Sequence, residues 1–508
     1  MFKKAVRIRR GNRNNSGQRS FSASLQENIA LLQSILSDDE MIVYRYFREP
    51  KAEEIRYCLI FSHPISGEKT INDRIIRPIM ENLLGKNIPQ KDLSNYIVNQ
   101  VVQVRGIEET SDVEKAVQAI LYGDTILLIE GFSKVLVICT KDWITRAVTE
   151  PQAETVVRGP REGFTESIVT NISLLERKIV NPDLKFKYME LGNVTKTKIC
   201  ICYIKGIASE KILNEVEIRL KKIQIDGILD SGYIQEMIKD SPYSAFDTIG
   251  DTERPDVVAG KLLEGRVGII CDGSPSVLTM PFLFLEYFQT NEDYYTNYIF
   301  ASINRFLRVL CYFLTVSIPA VYLAIISFHQ EMLPTPLILS IAAARYNVPF
   351  PSIVELVLML LVFEVMREAG VRLPSTVGMA ISIVGALVLG EAAVSAKIIS
   401  APIVIITAFT GICSFLVFRL KGPVIVTRIY LLLASSTLGL FGYMIALIAL
   451  FVYLISLRSF GVPYMMNISL IDIDDVRDTS IRAPLKFMNK RPKFAMKRNR
   501  TRAGGGTR

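Results

Sequence analysis

The sequence contains few of the residues and motifs on which most enzymes depend. Its 508 residues include only two histidines, His63 and His329, which is too few for a histidine-rich metal site. A Walker phosphate loop and the HExxH, GxSxG and GxGxxG motifs are all absent. Asp124 and Asp272 lie at predicted turns, but neither has a second carboxylate at a spacing suited to acid–base chemistry. We therefore expect no enzymatic activity, no metal site and no cofactor.

Paired cysteines and a secretion signal are also missing. The seven cysteines are an odd number, and only Cys200 and Cys202 lie close together, alternating on a predicted strand. A disulfide framework is therefore not expected, and the pattern favours a reducing compartment. The basic residues 1–20 are not followed by an apolar core and a small-residue cleavage site, so we expect no signal peptide and a cytoplasmic N-terminal half.

Long apolar runs are absent before about Asn304 and then dominate the chain. The run Phe306–Phe328 has a single charge, Arg308, at its edge, and is long enough to cross a bilayer. Several buried helices in a large soluble core would be the alternative, but such cores rarely contain so many long apolar runs with so few charges. The sequence therefore predicts an α-helical multi-pass transmembrane domain. Further apolar runs cover residues 350–366, 376–396, 398–418 and 424–457.

The N-terminal half repeats itself at an offset of 142 residues. LYGDTILLIEGFSKVLV from Leu121 aligns with LEGRVGIICDGSPSVLT from Leu263, and at the same offset Glu68–Lys69 falls on Glu210–Lys211. One offset that fits two distant segments indicates a duplicated unit. Each copy is expected to contain a strand, an amphipathic helix, a second helix and a hairpin that turns at a glycine.

These observations predict an α+β membrane protein in which two repeated cytoplasmic α/β subdomains precede the transmembrane domain. The segment between the copies, rich in Pro, Gly and charge, contains Arg158 and Arg161; these either bind an anion or are solvated loop residues, and the second is the commoner outcome. The expected divisions are a basic tail and first helix at 1–39, the subdomains at 40–150 and 182–304 with a linker at 151–181, the membrane domain at 305–460, and a basic tail at 461–508.

Ionisable residues inside apolar runs are costly in hydrocarbon and usually face protein or water. Glu355 and Glu364 lie nine residues apart, so they occupy opposite sides of a helix and cannot form one site. We predict that Glu364 pairs with Arg367 one turn later, whereas Glu355 has no local partner.

The third apolar run, residues 376–396, differs from the others. One face has small residues that would allow close helix packing, namely Gly378, Ser382 and Gly385. A second face is a candidate pore lining, with an aliphatic gate and a carboxylate that favours cations, formed by Ile381, Val384, Val388, Glu391 and Ser395. The alternative is that this face packs on lipid or another helix, with Glu391 neutral or paired to Lys397.

The number of membrane passes follows from charge and length. Prolines bracket a short apolar piece within 334–351 that is too short to cross and is expected to be interfacial or re-entrant. The run 424–457 would be roughly 51 Å long as one helix, against an apolar bilayer core of about 30 Å. A break at residues 439–442 would give two passes, six in total instead of five, and would keep the basic C-terminal tail on the cytoplasmic side.

Several long strings resemble the GerA family of spore germination proteins, the A subunits of nutrient germinant receptors. The similarity covers residues 22–491. In the membrane half the strings are VPFPSIVELVLMLLVFEVMREAGVRLP from Val348, TVGMAISIVGALVLGEAAVSAKIISAP from Thr376 and LRSFGVPY from Leu457; upstream they are VVRGPREGF from Val156, SPYSAFDTIGDTERPD from Ser241 and LLEGRVGIICDGSP from Leu262.

The resemblance implies a multi-pass subunit of a receptor in the inner membrane of a bacterial spore. It further implies a homo-oligomeric ring, a pentamer in the favoured view, whose membrane part is a nutrient-gated channel for monovalent cations. The implied partners are a transporter-like B subunit, a lipoprotein C subunit and membrane lipid, and the basic tails are read as membrane-surface anchors, without nucleic acid. The alternative is a non-conducting membrane sensor or scaffold subunit of a spore membrane complex.

Overall fold

The computed structural model describes most of the chain. The described residues are 20–37, 39–48, 55–63, 66–83, 96–102, 104, 106–121, 123–140, 150–151, 154–372, 390–466, 478–479, 481–488, 490–492 and 494.

The first sheet unit is built around five strands. These are β1 Ile42–Arg48, β2 Ile55–Ser62, β3 Ile107–Thr110, β4 Thr125–Ile129 and β5 Val135–Ile138, in the order β1-β2-β4-β5-β3. Its helices are α1 Leu25–Ile35, α2 Glu68–Ile71, α3 Arg77–Leu83 and α4 Val113–Leu121, with π-helical turns at Asn72–Ile76 and Ile97–Val101.

The second sheet unit has the same plan. Its strands are β6 Leu184–Leu191, β7 Thr197–Ile204, β8 Gly250–Thr252, β9 Val267–Cys271 and β10 Val277–Met280, in the order β6-β7-β9-β10-β8. Its helices are α5 Ile168–Lys178, α6 Glu210–Lys221, α7 Ser231–Ile238 and α8 Pro255–Leu263. Helix α5 lies within the stretch 151–181 that the sequence suggested as a linker, and it packs on the second sheet.

The two sheets confirm the duplication seen in the sequence. Strand β2 begins at Ile55 and β7 at Thr197, 142 residues later, and the strand order is identical. All the described strand pairs are antiparallel. The predicted hairpins β4–β5 and β9–β10 turn at Gly131 and Gly273, whose φ angles of 84° and 85° favour glycine.

Each sheet is covered on both faces by apolar side chains. In the second unit, α5 and α8 pack on one face through residues such as Leu175 and Leu262, and α6 and α7 pack on the other through residues such as Val216 and Ile234. Alternate residues of β7 supply both cores, with Cys200 and Cys202 pointing to one face and Ile199 and Ile201 to the other.

The helical half follows a 3₁₀ turn at Phe284–Phe288 and the short helix α9 Glu292–Tyr295. Its helices are α10 Tyr298–Phe328, α11 Thr335–Arg345, α12 Ser352–Arg372, α13 Gly390–Ser395, α14 Ala401–Phe415 and α15 Lys421–Ser456, with 3₁₀ turns at Gln330–Met332 and Phe418–Leu420. Beyond α15, β11 Arg458–Ser459 pairs with β12 Val462–Pro463, and a last 3₁₀ turn covers Leu485–Phe487.

Helix α15 is a hairpin, because its helical backbone is interrupted at Gly439, where φ is 61° and ψ is −142°. Thr427 lies beside Tyr312 of α10, and the ring of Phe451 stacks on that of the next residue, Phe313, at 6.4 Å. In a straight helix Thr427 and Phe451 would be about 36 Å apart, too far to reach adjacent residues of α10. The chain therefore reverses at Gly439, as the sequence predicted.

The helical half has two opposite ends, and the termini of its long helices lie at one or the other. Beyond its last turn, α15 leads to Ser459, whose hydroxyl donates to the Thr248 carbonyl of the second sheet unit at 2.6 Å. At the opposite end, Gly439 packs against Phe328 and His329 at the C-terminus of α10. We call these the sheet end and the far end.

Candidate functional site

The outer surface of the helical half is largely apolar, and several polar side chains are buried inside it beside an apolar core. An apolar outer surface with polar groups kept inside is what a hydrocarbon solvent requires. By length and composition, two of its helices are suited to cross a membrane, Tyr298–Phe328 and the broken helix Phe418–Ser456. The exposed apolar side chains include Ile299, Phe306, Leu361, Val365, Ile405, Ile412, Leu433, Phe441 and Val452. The buried polar ones include Thr315, Glu355, Thr407, Thr410, Arg428 and Ser435.

Glu355 is fully buried in the first turn of α12, at 0% exposure. Its Oε2 accepts hydrogen bonds from the backbone N of Ser400 at 2.9 Å and from the Ser400 hydroxyl at 2.8 Å. Its Oε1 lies 3.7 Å from Nε of Arg345, the last residue of α11. The residues one helical turn from Glu355 predicted no partner for it, because both of its partners belong to other segments of the chain.

Glu364 joins α12 to the hairpin. It pairs with Arg367, which confirms the prediction, and its Oε1 also accepts a hydrogen bond from Nη2 of Arg428 on α15 at 2.7 Å. Arg428 is only 3% exposed. Glu355 and Glu364 thus have separate partners, in agreement with their placement on opposite sides of the helix.

The candidate pore residues are only partly covered by the structure. Glu391 and Ser395 lie on the short helix α13, and both are exposed in the single chain. Gly378, Ile381, Ser382, Val384, Gly385 and Val388 lie outside the described residues.

A buried arginine joins α10 to the short helix α9 and to the C-terminal segment. Arg305 of α10 is fully buried and donates from Nε to Asp293 at 2.8 Å and from Nη1 to Asp478 at 2.8 Å. Burial alone would raise the pKa of Asp293, but hydrogen bonds and charge from Arg308 and Arg305 hold that pKa below its ordinary value of 3.8. No spacing rule predicts this network, because its members come from three separate segments, although a charge inside the start of an apolar helix was a usable signal.

A second set of contacts surrounds the turn between α14 and α15. Arg419 of this turn pairs with Glu154, and Glu154 Oε2 also accepts from the Thr252 hydroxyl at 2.6 Å. A cavity of about 260 Å³ lies beside the pair and is lined by charged groups of both signs, among them Asp256 and Lys261. Several of the charged groups around it pair with one another, as in Arg254–Asp256 and Lys261–Glu286.

The structure offers no further reactive centre among its described parts. All seven cysteines are described, and all are free. No group of three or more His, Cys, Asp or Glu residues suited to a metal ion occurs among the described residues.

Comparison with known proteins decides the family. The sequence profile of the Bacillus/Clostridium GerA spore germination protein matches residues 30–494. The chain belongs to the GerA family. This membership confirms the resemblance predicted from the sequence.

Relatives in the GerA family cover almost the whole chain. The chain is 41% identical to spore germination protein KA of Bacillus subtilis over 95% of its own length and 89% of that protein. It is 39% identical to the uncharacterized membrane protein YfkQ of the same organism, over 93% of this chain and 92% of that protein. It is 36% identical to spore germination protein B1 of B. subtilis, over 92% of this chain and 97% of that protein.

One solved structure is also similar. It is the crystal structure of the N-terminal domain of the A subunit of the Bacillus megaterium spore germinant receptor GerK3, with 32% sequence identity and a TM-score of 0.41, covering 52% of this chain and 97% of that chain.

Proposed function

We propose that this chain is the A subunit of a nutrient germinant receptor in the inner membrane of the spore, and that its copies form a ring, of five in the simplest case, that conducts monovalent cations. A transporter-like B subunit and a lipoprotein C subunit complete the proposed receptor. Family membership supports the role in germination. The observation that carries the membrane part is the exposed apolar surface of the helical half, which encloses the buried Glu355 and Arg428.

We propose six passes, from the positions of the helix ends. Helix α12 begins beside Ser400, which precedes α14, and Glu368 near its other end binds Lys421 at the start of α15, at 2.6 Å. Residues 372 and 390 therefore flank the undescribed third apolar run from opposite ends of the helical half, and the hairpin supplies two passes. The basic residues Arg367, Arg372, Arg419 and Lys421 cluster at the sheet end, which makes that end cytoplasmic by the positive-inside rule.

The proposed pore is lined by the third apolar run. Its two described members, Glu391 and Ser395, are exposed on the single chain and so are free to face an axis shared by several copies. Val384 and Val388 would form an aliphatic constriction that excludes ions by dewetting, and Glu391 would favour cations. A nutrient bound to the B subunit would shift the ring toward an open arrangement, because the nutrient would bind more tightly to the receptor with an open ring than to the receptor with a closed ring.

Conductance of the purified receptor in liposomes tests this proposal, with and without nutrient. The wild type should conduct monovalent cations only when nutrient is present. Val388→Ala should leak without nutrient, and Val388→Phe should block the current, because the two changes widen and fill the constriction. Val365→Ala, on the exposed surface of α12 at 61% exposure, is the matched control and should behave as wild type.

Two results would contradict parts of the proposal. If both Val388 variants conduct as wild type, the gate lies elsewhere. If the complete, nutrient-responsive receptor never conducts, the chain is a sensor or scaffold subunit.

A further inference from the structure

The loop 156–161, which we call the basic loop, exposes an apolar side chain together with two arginines. It joins the two sheet units, and Val157 at its tip is 88% exposed. Arg158 is exposed and has no ion pair with any described residue. The side chain of Arg161 is 69% exposed, and its Nε lies 3.8 Å from Oε1 of Glu150. An exposed apolar side chain followed closely by two arginines is typical of a surface that meets something both apolar and anionic.

The basic loop lies at the edge of the exposed apolar surface of the helical half. Gly159 packs directly against the ring of Tyr295, three residues before α10 begins, and the exposed apolar surface of α10 starts at Ile299 and Phe300, at 55% and 57% exposure. On the other side, Glu154 just before the loop pairs with Arg419, next to the exposed Phe418. The loop is thus held at the level where the apolar surface ends.

The charges near the loop leave it basic. The nearest acidic residue after it, Glu162, is neutralised by Arg177 and by Lys178 at 2.9 Å. Glu154 is committed to Arg419. Glu150 lies 3.8 Å from Arg161, and the two exposed arginines, Arg158 and Arg161, outnumber it at this surface.

We propose that the basic loop docks on anionic phospholipid head groups of the leaflet that faces the second sheet unit. Val157 enters the head-group layer, and Arg158 and Arg161 bind lipid phosphates. The apolar surface beside the loop and its positive charge select this occupant. The proposal rests on the helical half lying in a bilayer, which belongs to the proposed function.

The test uses the full chain in lipid nanodiscs with one environment-sensitive fluorophore. Cys139, the one exposed cysteine, is first replaced by serine. The fluorophore is placed at Val157→Cys and at two control valines. Val194→Cys, 75% exposed, lies at the end of the second sheet away from Met280, and Val426→Cys, 55% exposed, lies on α15. Nanodiscs contain phosphatidylcholine alone or with phosphatidylglycerol, and each carries spin-labelled lipid as a quencher.

We expect quenching at 157 that increases with phosphatidylglycerol and falls to the level of position 194 in R158Q/R161Q. Equal quenching at 157 and 194 in both lipids would overturn the proposal. Shielding at 157 that depends on a second copy of the chain and not on phosphatidylglycerol would also overturn it, since the loop would then be a subunit interface. Position 426 distinguishes a failure of the docking proposal from a failure of the proposed function. If the fluorophore at position 426 is not quenched, the helical half does not lie in the bilayer.

Discussion

The reversal at Gly439 makes the sharpest prediction about stability. Its φ of 61° and ψ of −142° lie in a region that residues with a Cβ rarely enter, which costs about 1–3 kcal/mol. A Cβ at this position would lie 2.8 Å from Cε1 of His329 and 2.9 Å from Cβ of Phe328, so the far end would also be overpacked by about 1–3 kcal/mol. Gly439→Ala should therefore destabilise the protein by roughly 2–6 kcal/mol.

A second glycine of the same helix is the control. Gly422 is exposed in the first turn of α15, and a Cβ there meets nothing within 4 Å. Gly422→Ala should be neutral or stabilising, by up to about 1 kcal/mol, because alanine is the better helix former. The assay is thermal unfolding of both variants in detergent, followed by the loss of monodisperse protein. Equal stability of Gly439→Ala, Gly422→Ala and wild type would refute the hairpin.

Two further predictions concern buried charges. Arg305→Met should destabilise the protein by about 3 kcal/mol, the lower end of the range for a broken buried pair, because Asp478 loses its ion-pair partner and the buried Asp293 keeps only Arg308 among its described partners. Arg77→Met at an exposed helix pair should change the free energy of unfolding by less than about 1 kcal/mol. Denaturant titration measures both, and equal effects would contradict the network. Burial raises the pKa of Glu176 well above its ordinary value of 4.5, so the native protein keeps this carboxyl protonated at pH values where the unfolded chain has already ionised it. Wild-type stability is therefore greatest below about pH 4.5 and falls as the pH rises toward the raised pKa. Glu176→Gln should be the more stable protein near neutral pH and lose this advantage in acid, and parallel curves of stability against pH would refute the assignment.

Local and periodic features were the predictable part of this fold. The 142-residue offset placed β2 and β7 to within one residue, since a duplicated sequence shows its pattern twice. The break in the last apolar run followed from the mismatch between its length and the bilayer, and Gly439 was the residue able to make it. The Glu364–Arg367 pair followed from the spacing of one helical turn.

Partnerships between distant segments were not predictable. Glu355 binds Ser400, 45 residues later, and Arg305 binds Asp478, 173 residues later. No spacing rule links such residues, because the packing of whole helices decides which of them meet. The candidate pore lining of the third apolar run stays a prediction.

The contacts of the hairpin indicate how the sheet units act on the helical half. The second sheet unit holds both ends of the hairpin, through Thr252 and the Glu154–Arg419 pair at its start and Thr248 and Ser459 at its finish, while Gly439 is packed against the end of α10. We expect that a movement of the second unit would displace both helices of the hairpin together about their far end. The contact between Arg428 and Glu364 would carry that displacement to α12, the helix that precedes the proposed pore segment. The Glu364–Arg428 pair thus lies between the sheet unit and the proposed gate, and we predict that its loss would uncouple nutrient response from conductance even where the fold survives.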